Sequence, residues 1–259
     1  MIYSLWLSLI GVFSYLFGSI NWAMFISKLK RLDIRKVGSG NPGTLNMSRN
    51  LGFKFGLLTF FLDLTKGALP TLISFFVFGE EKFAYSEFYI RDFAIYLSGL
   101  CVVLGHIYPI YFKFKGGKGI ASTIGVFMVC ESVHGIGWAM VAIMALVAAA
   151  VFIYITEFGA MGSFIAITPP AISGCIRLFL DYGRRGTGSF NAGTLAFHIV
   201  SNMLIFAICF FTWFAHRKNI ERMLAGDEHP TSFKKMLVKA KAKKMQERKD
   251  NESSSKDKS

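Results

Sequence analysis

Residues 137–156 read GWAMVAIMALVAAAVFIYIT, twenty positions without an Asp, Glu, Lys or Arg. A helix rises about 1.5 Å per residue, so this run alone covers the ~30 Å hydrocarbon core of a bilayer. The stretch has company. Residues 1–27, 93–112, 158–176 and 186–216 are equally free of charge, and 55–79 holds only Asp63 and Lys66. Of the 259 residues 53% are hydrophobic and 17% charged, where soluble chains carry about 25% charge. A soluble domain, a disulfide scaffold and a disordered chain are thereby excluded.

In lipid every backbone amide must find its partner inside a helix or a closed barrel. Barrel strands alternate in hydrophobicity over ~10 residues, whereas these runs are continuous and longer. An all-α, polytopic membrane protein follows, with seven spans near 3–25, 55–78, 93–112, 119–133, 137–156, 158–178 and 194–214. The fourth is the weakest: Gly119–Cys130 is charge-free for only 12 residues, about 18 Å, and spans only if Glu131 sits at an interface. Pro169-Pro170 is expected to break or kink the sixth. The first run lacks a basic leader, so it is expected to stay as a helix. Residues 1–228 form the membrane domain and 229–259 a basic tail, in which Phe233, Met236, Leu237 and Ala240 fall at helical spacing. That tail suits a helix lying on anionic lipid, or a solvated end.

Lys and Arg in short connections set orientation. The segment 28–54 carries seven Lys and Arg against Asp33 alone, and 113–118 carries three lysines with no acid. Residues 79–92 are acidic on balance. Basic connections inside put the N-terminus outside and the C-terminus in the cytoplasm. Arg184 and Arg185 disagree, being external on this scheme. The net charge of +13 is accounted for by this bias and the tail, so nucleic acid is not expected as a partner.

Three polar inserts carry the chemistry. Val37-Gly38-Ser39-Gly40-Asn41-Pro42-Gly43-Thr44-Leu45-Asn46 contains G-x-G-x-x-G, but no strand precedes it, so the dinucleotide reading fails. What survives is the physics of glycine amides converging on an anion. Ser39, Asn41, Thr44 and Asn46 add hydrogen-bonding groups, and Arg49 a fork suited to phosphate. The second insert runs from Gly105-His106 to Lys115-Gly116-Gly117-Lys118-Gly119. It is not a Walker loop, yet it sets Lys118 between glycines at a helix start, where an oxyanion is favoured. In the third, His216-Arg217-Lys218-Asn219-Ile220, a continuing helix places His216, Asn219 and Ile220 on one face. Asp63 and Lys66, one turn apart inside a span, read as a structural ion pair. Ser163 lies near the same membrane face as the inserts. Cys101, Cys130, Cys175 and Cys209 fall in separate spans without ligand spacing, so no metal and no cofactor is expected.

Taken together, these inserts resemble the bacterial acyl-phosphate:glycerol-3-phosphate acyltransferase (PlsY) family. The matching stretches are Gly18-Ser19-Ile20, Asp33 to Asn41 with Gly43, Thr44, Asn46 and Arg49, Leu62-Asp63 with Lys66-Gly67, Gly105 to Gly119, and His216 to Arg222. Asn21 departs from the family's Pro, and Glu157 and Ala160 from its frequent Arg and Ser. The resemblance implies a seven-span enzyme of the bacterial inner membrane with cytoplasmic motifs. It would acylate sn-glycerol 3-phosphate from a fatty acyl phosphate, giving 1-acyl-glycerol 3-phosphate and phosphate, the first acylation of phospholipid synthesis. Membrane lipids are the remaining partners, and self-association is left open. Ser39, Asn41, Lys118, His216 and Asn219 are the expected catalytic set. Gly38, Gly40, Gly43, Thr44, Asn46, Arg49, His106, Gly116, Gly117, Gly119 and Ser163 are the expected substrate and phosphate contacts. Acyl phosphate is already activated, so direct attack by the glycerol hydroxyl is expected, with either His216 or a substrate phosphate taking the proton. A transporter for a phosphorylated metabolite is the competing reading, weakened because the inserts share one face and no inverted repeat is seen.

Overall fold

The computed structural model describes residues 2–82, 88–185, 192–227 and 238. Among these the chain forms ten α-helices: α1 (Ile2–Gly18), α2 (Trp22–Leu29), α3 (Thr44–Leu51), α4 (Phe53–Val77), α5 (Ile90–Ile107), α6 (Ile120–Ser132), α7 (Ile136–Thr156), α8 (Gly159–Arg185), α9 (Ala192–Ala215) and α10 (Arg217–Leu224). Six stretches are long and apolar enough to cross a membrane: Ile2–Leu29, Phe53–Val77, Ile90–Phe112, Ile136–Thr156, Gly159–Asp181 and Gly193–Ala215. The expected tail helix lies, apart from Val238, outside the described residues.

The expected fourth span is α6, 13 residues long and hence about 20 Å. Its shortness has a cause. Gly67, 14 residues into α4, lies against the carbonyl of Ser122, so α6 begins level with the middle of α4. At its other end Glu131 is fully buried against protein. The expected first span is also interrupted. Asn21 leaves the helix and its side chain accepts the Met24 N–H at 2.9 Å, starting α2 afresh. By contrast α8 continues through Pro169 and Pro170 instead of breaking there.

Glycines set the closest helix crossings. A Cβ on Gly67 would stand 2.0 Å from the Ser122 carbonyl oxygen, and one on Gly125 2.1 Å from that of Leu64. Between α1 and α5 the same happens at Gly18 (Val102 O, 2.4 Å) and Gly105 (Tyr15 O, 2.3 Å). Such small-residue contacts are how helices associate in lipid, where burial of apolar area offers no gain. Hydroxyl pairs add to them: Ser14 with Ser98 at 2.8 Å, and Thr123 with Thr212 at 3.1 Å. In α7 the buried residues are Ala139, Ala142, Ala145 and Ala149, while Met144, Val147, Val151 and Ile155 face outward. Large apolar side chains outside and small ones inside are the arrangement that a hydrocarbon solvent allows.

Arg177, near the end of α8, is buried as well. Its guanidinium donates to the Tyr96 hydroxyl and, at 3.4 Å, to Asp181. Glu131 lies in the same region, its carboxylate against Gly174.

Candidate active site

The first insert is held in shape by a single buried side chain. Asn46 accepts the backbone N–H of Ser39 at 3.0 Å and donates to the carbonyls of Ile34 and Val37 at 3.0 and 3.1 Å. Its oxygen also accepts from Asn50 at 3.0 Å. The amide expected to meet substrate is thus consumed by the loop's own backbone. Gly38 has φ +59°, and a Cβ there would lie 2.3 Å from the Asn46 oxygen. Ser39 is consequently exposed at the turn, with Asn41 and Gly43 following it. Gly43 caps α3 without a side-chain bond, leaving Thr44 at the helix start and Arg49 exposed on its last turn. Upstream, Asp33 is pinned by the Arg35 guanidinium at 3.1 Å, and that hydrogen bond holds its carboxyl below the usual range.

The second insert folds back onto the end of α5. Gly116 N–H donates to Ile107 O at 3.1 Å, and Gly117 N–H to His106 O at 3.2 Å. These two amides, expected among the phosphate contacts, are therefore spent on the chain itself. The glycines serve close approach instead. A Cβ on Gly116 would fall 2.1 Å from His106 O, and one on Gly117 2.3 Å from His106 Nε2 and 3.1 Å from Pro42 O. The first and second inserts thus meet at Gly117. Gly119, at φ +84°, turns the chain into α6, and its carbonyl accepts from Thr123 N–H at 2.8 Å.

Lys118 reaches the third insert, where its ammonium donates to the Asn219 side-chain oxygen. His216 follows directly on α9 and its carbonyl accepts from the N–H groups of Asn219 and Ile220, at 2.8 and 3.0 Å. Its Nδ1 lies 2.9 Å from Thr212 O. A carbonyl can only accept, so Nδ1 carries the hydrogen and Nε2 keeps its lone pair. Burial, and then the nearby Lys118 charge, push the imidazole down to about 4 against the opposing pull of the Thr212 bond. His216 is neutral at pH 7. The Phe164 ring packs against it with centroids 5.6 Å apart, bringing the start of α8 and Ser163 to the same corner. Ser163 Oγ donates to Gly159 O at 2.8 Å.

Two things were not readable from sequence. The Lys118–Asn219 contact joins positions 101 residues apart. Asp63 and Lys66 were read as a self-contained pair, but His106 joins them: Lys66 Nζ lies 2.9 Å from His106 Nδ1. An ionisable pair inside an apolar run signals function by default. Its third member, on another helix, leaves no local trace.

A family model described as glycerol-3-phosphate acyltransferase matches residues 8–226. The glycerol-3-phosphate acyltransferase of Aquifex aeolicus is 38% identical over 84% of this chain and 95% of its own. That of Mycoplasmopsis pulmonis is 34% identical over 86% and 92%. Crystal structures of PlsY (YgiH), an integral membrane glycerol 3-phosphate acyltransferase, are similar to this one. Its glycerol 3-phosphate form gives a TM-score of 0.63 at 33% identity, covering 89% of this chain and 98% of that one. Its lysophosphatidic acid form gives 0.61 at 32% identity, with 90% and 98% covered.

Proposed function

Since the chain belongs to the glycerol-3-phosphate acyltransferase family, and is a multi-pass membrane enzyme of phospholipid synthesis, we propose that its acyl donor is a fatty acyl phosphate and its site the Lys118–Asn219–His216 corner. The observation that carries this reading is the Lys118 ammonium held by Asn219 beside a neutral His216, at the start of α6. A fixed cation at a helix N-terminus suits a phosphate. An imidazole lone pair next to it suits a hydroxyl.

The reaction then runs as a direct transfer. The glycerol hydroxyl oxygen attacks the acyl carbonyl carbon, the bond from that carbon to the bridging phosphate oxygen breaks, and phosphate leaves. The hydroxyl proton ends on a phosphate oxygen, so the balance needs no added acid or base. A phosphate with a second pKa of about 6 is a better proton acceptor than an imidazole at about 4, and this favours substrate-assisted proton transfer. His216 Nε2 accepts a hydrogen bond from the adjacent hydroxyl of glycerol 3-phosphate and so aims the attacking one, whose hydrogen stays free for the phosphate oxygen. Lys118 and Arg49 stabilise phosphate charge, and Ser39, Asn41, Thr44 and Ser163 orient the two substrates. Gly38, Gly40 and Gly119, at positive φ, supply the tight turns that let substrate approach the backbone, and Gly43, in extended conformation, starts α3.

The basic segments 28–54 and 113–118 support an orientation with this corner on the cytoplasmic side and the N-terminus outside, and a bacterial inner membrane is the location that this reading implies. The direct check is purified protein supplied with glycerol 3-phosphate and either palmitoyl phosphate or palmitoyl-CoA. Product from the acyl phosphate and none from the thioester is expected. Turnover of the thioester alone would overturn the donor assignment.

A further inference from the structure

Behind the loops lies a buried cluster that the reaction above does not use. Lys66 is fully buried in the middle of α4, and its ammonium faces three acceptors: Ile20 O at 2.7 Å, His106 Nδ1 at 2.9 Å and Asp63 Oδ1 at 3.2 Å. An ammonium has three N–H bonds and nothing to accept with. Ile20 O and His106 Nδ1 take hydrogens of Lys66 and Asp63 pairs with its charge, so His106 Nδ1 offers its lone pair. The neutral ring then carries its hydrogen on Nε2. Ser122 Oγ, 3.3 Å from the same Nδ1, can donate to that lone pair as well.

Each acceptor has its own logic. Asp63 neutralises the charge, which an apolar bundle requires. Ile20 lies where α1 and α2 separate, so its carbonyl has lost a helical partner and needs another in lipid. Neutralisation and helix capping are complete without an imidazole. What the imidazole adds is reach: Nε2 lies beside Gly117, where an added Cβ would meet it at 2.3 Å and Pro42 O at 3.1 Å, one residue before Lys118.

We propose that Asp63, Lys66 and His106 form a positioning relay, in which Lys66 fixes His106 as the Nε2–H tautomer and so sets its Nε2 edge, packed on Gly117, to seat the Pro42–Gly117 junction and hold Lys118 at the substrate phosphate. All three are buried, and the His106 ring lies between Lys66, at Nδ1, and Gly117, on its Nε2 side. The expected role of His106 as a phosphate ligand is replaced by one acting through Gly117. This rests on the reading that Lys118 holds a substrate phosphate.

The test uses the purified full-length chain, with kcat/KM measured for glycerol 3-phosphate at saturating palmitoyl phosphate. Glutamine sets its amide nitrogen where the imidazole Nε2 lies, whereas asparagine mimics Nδ1. His106→Gln should therefore keep about a third or more of kcat/KM, and His106→Asn should lose about tenfold or more, as expected for a misplaced catalytic group. The double change Asp63→Asn/Lys66→Met, which strands no charge, should also lose about tenfold in the parent but less than about threefold in the His106→Gln background, where no tautomer needs fixing. Equal losses in both backgrounds, or equal behaviour of the Gln and Asn variants, would overturn the relay. If the double variant fails to fold, the Gln–Asn contrast decides alone. Lys118→Ala is measured alongside: its loss of activity supports the phosphate reading, and its near-normal turnover would overturn that reading and the relay with it.

Discussion

Lys118 is where the chemistry concentrates, because one ammonium joins the second and third inserts. A charge-assisted contact to a phosphate in a low-dielectric site is strong. Lys118→Ala and Arg49→Ala should each cost about 3 kcal/mol of transition-state stabilisation, read as kcat/KM in folded protein. Arg49→Lys should also lose activity, because a point charge does not replace a bidentate fork. His216 makes a pH prediction. Its imidazole is depressed to about 4, so it is already neutral across the physiological range and protonates only as pH falls through that value. The acid limb of kcat/KM should follow the substrate phosphate, near a pKa of about 6. That limb should persist, at lower activity, in His216→Gln. Its disappearance in that variant would make His216 the base. At this scale the sequence revealed residue types and hid their use: His216, Asn219 and Lys118 were legible as chemistry, whereas the consumption of Asn46 by its own loop was not. Nothing local distinguishes an asparagine bound to substrate from one bound to three backbone groups.

Among the helices, the decisive contacts are glycine against backbone. Gly67 and Gly125 interlock α4 with α6, each leaving no room for a Cβ beside a carbonyl of the other helix. A carbonyl on a packed helix cannot step aside, so Gly67→Ala and Gly125→Ala should each destabilise by about 1–3 kcal/mol. Gly137, which meets nothing within 4 Å, is a helical glycine without that constraint. Gly137→Ala should be neutral or stabilising by up to about 1 kcal/mol. Thermal melting of the three variants in one detergent checks the contrast, and similar losses at Gly137 and Gly67 would refute it. The same crossing explains why the fourth apolar run is so short. Composition gave α6 the look of a marginal span, but its length is set by where it begins, deep beside the middle of α4, and that depth is a property of the partner helix. The break at Asn21 was equally invisible, since apolar residues continue through it.

For the molecule as a whole, continuous charge-free runs made membrane embedding and helical class legible at once. Hydropathy cannot report how inserts converge, because the pairs that join them, Pro42 with Gly117 and Lys118 with Asn219, lie 75 and 101 residues apart. Orientation has its own test in single-cysteine variants lacking the four native thiols. Position 81 should react with an impermeant reagent in intact cells, and positions 36 and 115 should not. Labelling of position 115 from outside would reverse the assignment. Direct transfer between two substrates held in one site is the central claim, and isotope exchange reads it most plainly. Purified enzyme is incubated with palmitoyl phosphate and radiolabelled inorganic phosphate in the absence of glycerol 3-phosphate. An acyl-enzyme, at Ser39 or elsewhere, would return its acyl group to phosphate and label the donor. Direct attack predicts no label in palmitoyl phosphate until glycerol 3-phosphate is supplied; label appearing without it would contradict the mechanism.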